Sequence, residues 1–251
     1  MGLTGNILDF DETQMLFGKP YRINEYITLT PPTVGGIIDF GEHKYFHMVH
    51  SLTSIPSDMI STLWDEGIDW ETLDDFEFFG MMCHSLKPED SSLVFGDFNF
   101  SNLVPAYDNK TEKNVLVNFE TGEILDEIAF IKIQGYLRKL HNIKPDVKHA
   151  KNKKTKDILI EVDREDVAKA KKEQHKPIIK PLLSAMMRYP GFPYKLNELY
   201  ELPFAALLEW FVGAQIYTSS IALLQGSYSG FVDSKRIPKN LFDWSRNIDE
   251  K

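Results

Sequence analysis

The chain has 251 residues, 43% of them hydrophobic, and a formal net charge of −9. That length and apolar content can build a sizeable core, as one large domain or two smaller ones, and they exclude an intrinsically disordered protein. A lone cysteine, Cys83, excludes an intramolecular disulfide and a CxxC thiolate pair for zinc, and fits a reducing compartment.

The opening MGLTGNILDFDETQ has no basic residue before Lys19 and no sustained apolar run, so a cytosolic start is expected rather than a secretory or transit signal. The sequons at Asn99 and Asn109 then carry no sugar. PYRINEYITLTPP has β-prone composition stopped by Pro31-Pro32 and reads as an edge strand. Thr33 caps a short helix with Val34, Ile37 and Ile38 on one side, weakened by Gly35-Gly36 and broken by Gly41; a second helix runs from about Glu42 to Leu52. SIPSDMISTLWDEG reads as a start signal and a short helix, with Ser54 or Ser57 as cap, Pro56 in the first turn, Met59, Ile60 and Leu63 on one face and Gly67 at the end. IDWETLDDFEFFGMMCHSL repeats the pattern, with Asp69 or Thr72 as cap and Leu73, Phe76, Phe79 and Met82 at helical spacing.

Residues 93–125 change character: LVFGDFNF alternates, and NVLVNF-ETG-EIL places strand composition on both sides of a glycine turn, the signal of a β-hairpin. Ile128, Ile131, Tyr136, Leu137 and Leu140 mark an amphipathic helix from Asp126 to His141. KPDVKHAKNKKTKD, residues 144–157, reads as a solvated loop, followed by a charged helix from Ile158 to Glu173. Residues 202–224 are the most hydrophobic helical stretch. Glu209, Gln215 and Thr218-Ser219-Ser220 interrupt it and its flanks lack basic anchors, so a buried central helix is expected rather than a membrane span.

Charge falls in blocks. Residues 1–143 carry a net −14, residues 144–180 a net +5 and residues 181–251 none. This asymmetry suggests three parts: an acidic α+β domain to 143, a Lys-rich connector and charged helix over 144–177, and a C-terminal helical region over 178–251 that packs back on the first.

Two constellations invite a functional reading. In GEHKYFHMVH, residues 41–50, His43, His47 and His50 stand at i, i+4 and i+7, but i and i+7 lie about 10 Å apart along a helix, so one ion cannot take all three. His43 with His47, aided by Glu42 or distant carboxylates near Asp65, supports an alternative as a metal-dependent hydrolase. HKYFH lacks the Glu that follows the first His in the helical metalloprotease signature. The simpler reading is ordinary polar histidines on a surface helix, so no catalytic residue, cofactor or metal ligand is assigned. The second constellation is WDEGIDWETLDDFEFF, with seven carboxylates and no Lys or Arg between Lys44 and Lys87. Acids interleaved with aromatics suit a solvated helix face beside a core face, or a protein interface. As an interface it assigns Trp64, Asp65, Asp69, Trp70, Asp74 and Phe78 to partner binding, with the two tryptophans as anchors.

GDFNF supplies only a fragment of a calcium loop, and no phosphate-binding glycine loop or G-x-S-x-G occurs. The Lys block around 148–176 reads first as a solvated segment. Its alternatives are contact with an acidic protein surface, this chain's own acidic half or a second copy's included, or with nucleic acid, which its interspersed acids disfavour.

YITLTPPTVGGIIDFGEHKYF, IPSDMISTLWDEGIDWETLDDFEFF and ILDEIAFIKIQGYLRKLHNIKP resemble proteins encoded in the tail-morphogenesis regions of long-tailed bacteriophages, and the opening strand ending in Pro-Thr before a helix resembles the start of tail assembly chaperones. The resemblance implies a non-enzymatic tail or baseplate assembly protein of the host-cell cytoplasm or the virion, with phage tail proteins or a second copy as partners and no membrane role. The fold expected from the residues is α+β and mainly helical.

Overall fold

Asp126 starts the element around which the rest is built. Its carboxylate accepts the Ala129 N–H at 2.7 Å, and the helix so capped, Glu127–His141, ends where Asn142 takes a left-handed conformation with φ 52°. Phe130, Ile133, Tyr136, Leu137 and Leu140 on it are all buried. A computed structural model describes residues 7–172 and 176–248. In chain order its elements are α1 (Glu12–Leu16), β1 (Tyr21–Arg22), β2 (Thr28–Leu29), α2 (Val34–Phe40), α3 (Glu42–Thr53), α4 (Ile60–Asp65), α5 (Asp75–Met82) and α6 (Pro88–Phe95). Then come β3 (Val104–Asp108), β4 (Lys113–Val117), β5 (Ile124–Asp126), α7 (Glu127–His141), α8 (Lys153–Ala170), α9 (Ile179–Arg188), α10 (Leu196–Glu201) and α11 (Phe204–Tyr228). The fold is α+β and mainly helical.

One core spans residues from Met15 to Ala214, so the acidic N-terminal part and the C-terminal helices share a single apolar interior. Tyr45, Met48, Val49 and Leu52 of α3 lie along α7, and Phe79 of α5 stacks on Phe130 with ring centroids 4.8 Å apart. Thr33 caps α2, its hydroxyl accepting the Gly36 N–H at 3.0 Å, and Gly41 at φ 102° separates α2 from α3. At Gly35 a side chain is impossible without rearrangement, because a Cβ would stand 2.4 Å from the Tyr200 ring of α10. The start of α11 is tied to the N-terminal loop by two backbone bonds, Val34 N–H to Leu202 O at 2.9 Å and Phe204 N–H to Pro32 O at 2.9 Å.

The edge strand expected over 21–29 is a minimal hairpin of β1 and β2. The hairpin at NVLVNF-ETG-EIL is present as β4 and β5, and β3 extends it to an antiparallel three-stranded meander in the order β3-β4-β5. LVFGDFNF is not a strand. Pro88 occupies the first turn of α6, which carries the chain to Phe95, and Gly96 at φ 60° turns it; Phe95, Phe98 and Phe100 converge in the core, Phe100 lying 4.9 Å from each of the others between ring centroids. Helix caps also move. Neither Ser54 nor Ser57 starts α4, since Asp58 accepts the Ile55 N–H in a 3-10 turn that precedes it. Asp74, not Asp69 or Thr72, caps α5 through Glu77 N–H at 2.8 Å, because Asp69 and Thr72 are spent on a turn of their own.

The two largest departures lie further on. Residues 144–157 are not a free loop: Lys148 N–H donates to Ser57 Oγ at 3.0 Å, Ala150 N–H to Glu71 Oε1 at 2.8 Å, and α8 begins already at Lys153, capped by Asn152. The end expected for that helix, Glu173, lies outside the described residues. And α11 is a core helix mainly at its start, with Ala214 and Ser220 buried further along. Phe204, Ala205 and Leu207 are buried, but in its most apolar 18-residue window 11% is buried, the remainder being half-covered or exposed.

Candidate functional site

The acidic-aromatic stretch folds into α4, a loop over residues 66–74, and α5, and it is occupied by α8. Lys156 sits at its centre. The ammonium stands 4.8 Å from the Trp70 ring centroid and 5.3 Å from that of Trp64, while Asp69 takes it at 2.5 Å and Glu71 at 3.2 Å. The two indoles meet edge to face at 6.1 Å and form the walls. Cations are attracted to such ring faces by the π quadrupole, and the flanking carboxylates add direct charge pairing. In consequence the hydrogen bond to Lys156 holds the Asp69 carboxyl below its ordinary range. Glu71 is lowered first by the Ala150 N–H and then by Lys156, and the Lys156 ammonium is raised by Asp69.

Two further contacts lie along the same face of α8. Ile160 enters a small second core made with Ile60, Leu63, Trp70 and Phe78, and Arg164 pairs with Asp65 at 2.5 Å. Asp163 accepts both the Ser61 N–H at 2.8 Å and the Ser61 hydroxyl at 2.6 Å, closing the start of α4 from outside. The grip is thin. Ile160 is the one buried residue of α8, contributing about 1.5–3 kcal/mol on full burial, with Leu159 partly buried beside it, and the exposed Arg164–Asp65 pair adds little.

Of the six residues the sequence assigned to a partner, Trp64 is 40% exposed, Asp65 and Asp69 pair with α8, and Asp74 caps α5. Trp70 and Phe78 are corrected: at 3% and 1% exposure they are interior, and Trp70 Nε1–H donates to Lys148 O at 3.1 Å. The Lys block thus meets this chain's own acidic half. His43 and His47 are exposed and stack with centroids 6.4 Å apart, while Glu42 is turned to the start of α9, accepting the N–H groups of Ile178 and Ile179. Among the described residues no group of three or more His, Cys, Asp or Glu gathers as a metal site.

Sequence reasoning missed a cleft of about 450 Å³ between α3, the end of α7 and α11, lined by His50, Ser54, Asp58 and His141. His141 lies among Tyr45, Phe46 and Phe204, with ring centroids 5.5–5.9 Å away, and Tyr45 Oη is 2.9 Å from its Nε2. Burial lowers the imidazole to about 3 and lifts the Tyr45 phenol well above its usual value, so the phenol donates and the imidazole is neutral. The Ser54 hydroxyl donates to His50 O at 2.7 Å and lies 3.3 Å from His50 Nδ1. Cys83 is buried and its thiol is pushed up to about 11 by that burial. No sequence signal distinguishes His141, since its partners are distant in the chain.

Compared with protein-family models, with curated proteins and with solved structures, the chain matches none.

Proposed function

We propose that this protein is a phage-type tail or baseplate assembly protein, a chaperone or structural component, which works in the host cytoplasm through protein-protein contacts and carries no catalytic site. The resemblance of three stretches to tail-morphogenesis proteins suggests the setting. The observation that carries the contact role is α11. Beyond Glu209 it presents no charged residue up to its end at Tyr228; its Tyr217 and Tyr228 are 47% and 86% exposed, and Ile216, Leu223 and Leu224 beside them are only partly buried. An apolar helical face left so open in a soluble protein is a docking element.

The test is co-expression with phage tail and baseplate proteins. A stable complex is expected, and Tyr217→Glu with Tyr228→Glu, at the exposed positions, should abolish it while leaving the melting temperature within a few degrees. Retention of none of those proteins would overturn the reading. α11 is long and apolar enough to cross a membrane by length and composition. Sedimentation of the chain with bilayers in the same experiment would therefore point to a lipid contact instead. Stoichiometric zinc with hydrolysis lost on His47→Ala would favour the hydrolase alternative, and salt-sensitive retention on DNA would favour the nucleic-acid one.

A further inference from the structure

We propose that the cleft walled by Trp64 and Trp70 and floored by Asp69 and Glu71 is a recognition site for a lysine on a basic amphipathic helix, and that α8 is an internal occupant which a partner's helix displaces. The inference stands on this cleft alone and does not depend on the tail-assembly reading.

Three observations carry it. The first is the seat itself: one ammonium held over two indole faces and against two carboxylates is a cation cage, the arrangement by which proteins select lysine-type cations over neutral side chains. The second is that Lys156, Ile160 and Arg164 stand at i, i+4 and i+8, so a single helix face delivers ammonium, aliphatic plug and guanidinium to the cage, the small core and Asp65 in turn. A ligand for the site is thereby specified as a helix of that pattern. The third is that α8 fits the site imperfectly. It carries five acidic residues, Asp157, Glu161, Asp163, Glu165 and Asp166, against five basic ones, so it brings no net charge to a strongly acidic surface. Glu66, Asp74 and Glu77 of the same acidic stretch remain exposed, Asp74 being engaged as the α5 cap. Ile158 and Val162, 53% and 49% exposed, add nothing to its hold.

A helix with the same face but without those acids is therefore the better ligand. Displacement needs only a pivot near Lys151–Asn152. The bonds of Lys148 and Ala150 lie upstream of that point and keep the Trp70 Nε1–H satisfied. The occupant predicted is a protein segment, since a folded nucleic acid presents neither a lysine nor an apolar plug.

The experiment uses the full chain and a labelled peptide of residues 152–171 in which Glu161, Glu165 and Asp166 are replaced by Gln, Gln and Asn. Anisotropy should show binding to the Lys156→Ala/Arg164→Ala double variant at least about tenfold tighter than to wild type, falling several-fold from low to high salt. Adding Trp64→Ala to that variant, or replacing the lysine equivalent to Lys156 in the peptide by Ala, should abolish it. A peptide that binds neither protein, or that binds equally well without Trp64 or its own lysine, overturns the proposal. Should the double variant fail to fold, hydrogen exchange on wild type decides: α8 amides must exchange faster than those of α7, and added salt must accelerate α8 selectively. Protection of α8 equal to that of α7 at high salt overturns it as well.

Discussion

Acid should unfold this protein through His141. The imidazole is enclosed by Tyr45, Phe46 and Phe204, and burial holds it at about 3 when folded against 6.5 when free. A base with a depressed folded value binds its proton first in the unfolded chain, so its effect is absent above pH 6.5 and stability is lost as pH falls from there toward 3. Each pH unit in that window costs up to about 1.4 kcal/mol, and from about pH 7.5 to about pH 5 the loss is roughly 1–2 kcal/mol, the lower end reflecting the edge of the ring that reaches the cleft. Asp75 acts in the opposite sense, since desolvation raises its carboxyl despite Arg138 at 3.7 Å, and acidification relieves that burial. The comparison with His141→Gln isolates the histidine, because Gln can still accept the Tyr45 hydroxyl proton and cannot titrate. Urea unfolding at several pH values should give a wild-type slope steeper than that of the variant by about 1 kcal/mol per pH unit below 6.5. Parallel slopes would refute the assignment.

Other outcomes are as concrete. Phe130→Ala removes the ring stacked on Phe79 and packed at a tilt against Phe76, and should cost about 3–5 kcal/mol by chemical denaturation. Along α11 the two ends should differ: Leu207→Ala, fully buried, about 2–5 kcal/mol, and Leu223→Ala, half-covered, less than about 1 kcal/mol; equal costs would mean that the far end is core after all. Gly35→Ala should destabilise by roughly 1–3 kcal/mol, since the new methyl meets the Tyr200 ring, and Tyr200→Ala should rescue part of it. Cys83, buried with its thiol raised to about 11, should resist a thiol reagent until the protein is unfolded by denaturant.

What could be read from sequence was the local grammar. The Thr33 cap, the break at Gly41, the β4–β5 hairpin and the extent of α7 each depend on residues within a few positions of one another, and each is where composition and periodicity put it, although Ile128 of the expected α7 stripe is exposed and Phe130 and Ile133 take the buried face. α6 was misread because Leu93, Phe95, Phe98 and Phe100 mimic alternation, while the start signal, Pro88, lies outside the window that alternates. The candidate site was legible in part. Its acids and aromatics announce a surface that wants a cation, but the cation is Lys156, 87 residues from Asp69, and no local pattern pairs them. Nor could sequence tell Trp70 from Trp64, since both flank the same glycine turn and only the docking of Ile160 and Lys148 closes over one of them. For α11 the signal was its lack of sidedness. An all-round apolar helix promises cover on every side, and the chain provides it fully only in the first turns and, further on, at Ala214 and at Ser220, which donates to Leu241 O.

The backbone ties between Pro32–Val34 and Leu202–Phe204 set an order of events during synthesis. Phe204 fills the space beside Tyr45, Phe46 and His141, and Leu199 and Leu202 complete the same interior, so everything made before them has an unfilled face. Domains ordinarily fold as units while they emerge from the ribosome, but here some 170 residues separate the two halves of one seam, and that distance slows closure. Until Phe204 leaves the exit tunnel the nascent chain displays an unfilled aromatic socket. A ribosome stalled before that codon holds a sticky intermediate, a substrate for holdase chaperones and a seed for aggregation, whatever the stability of the finished protein.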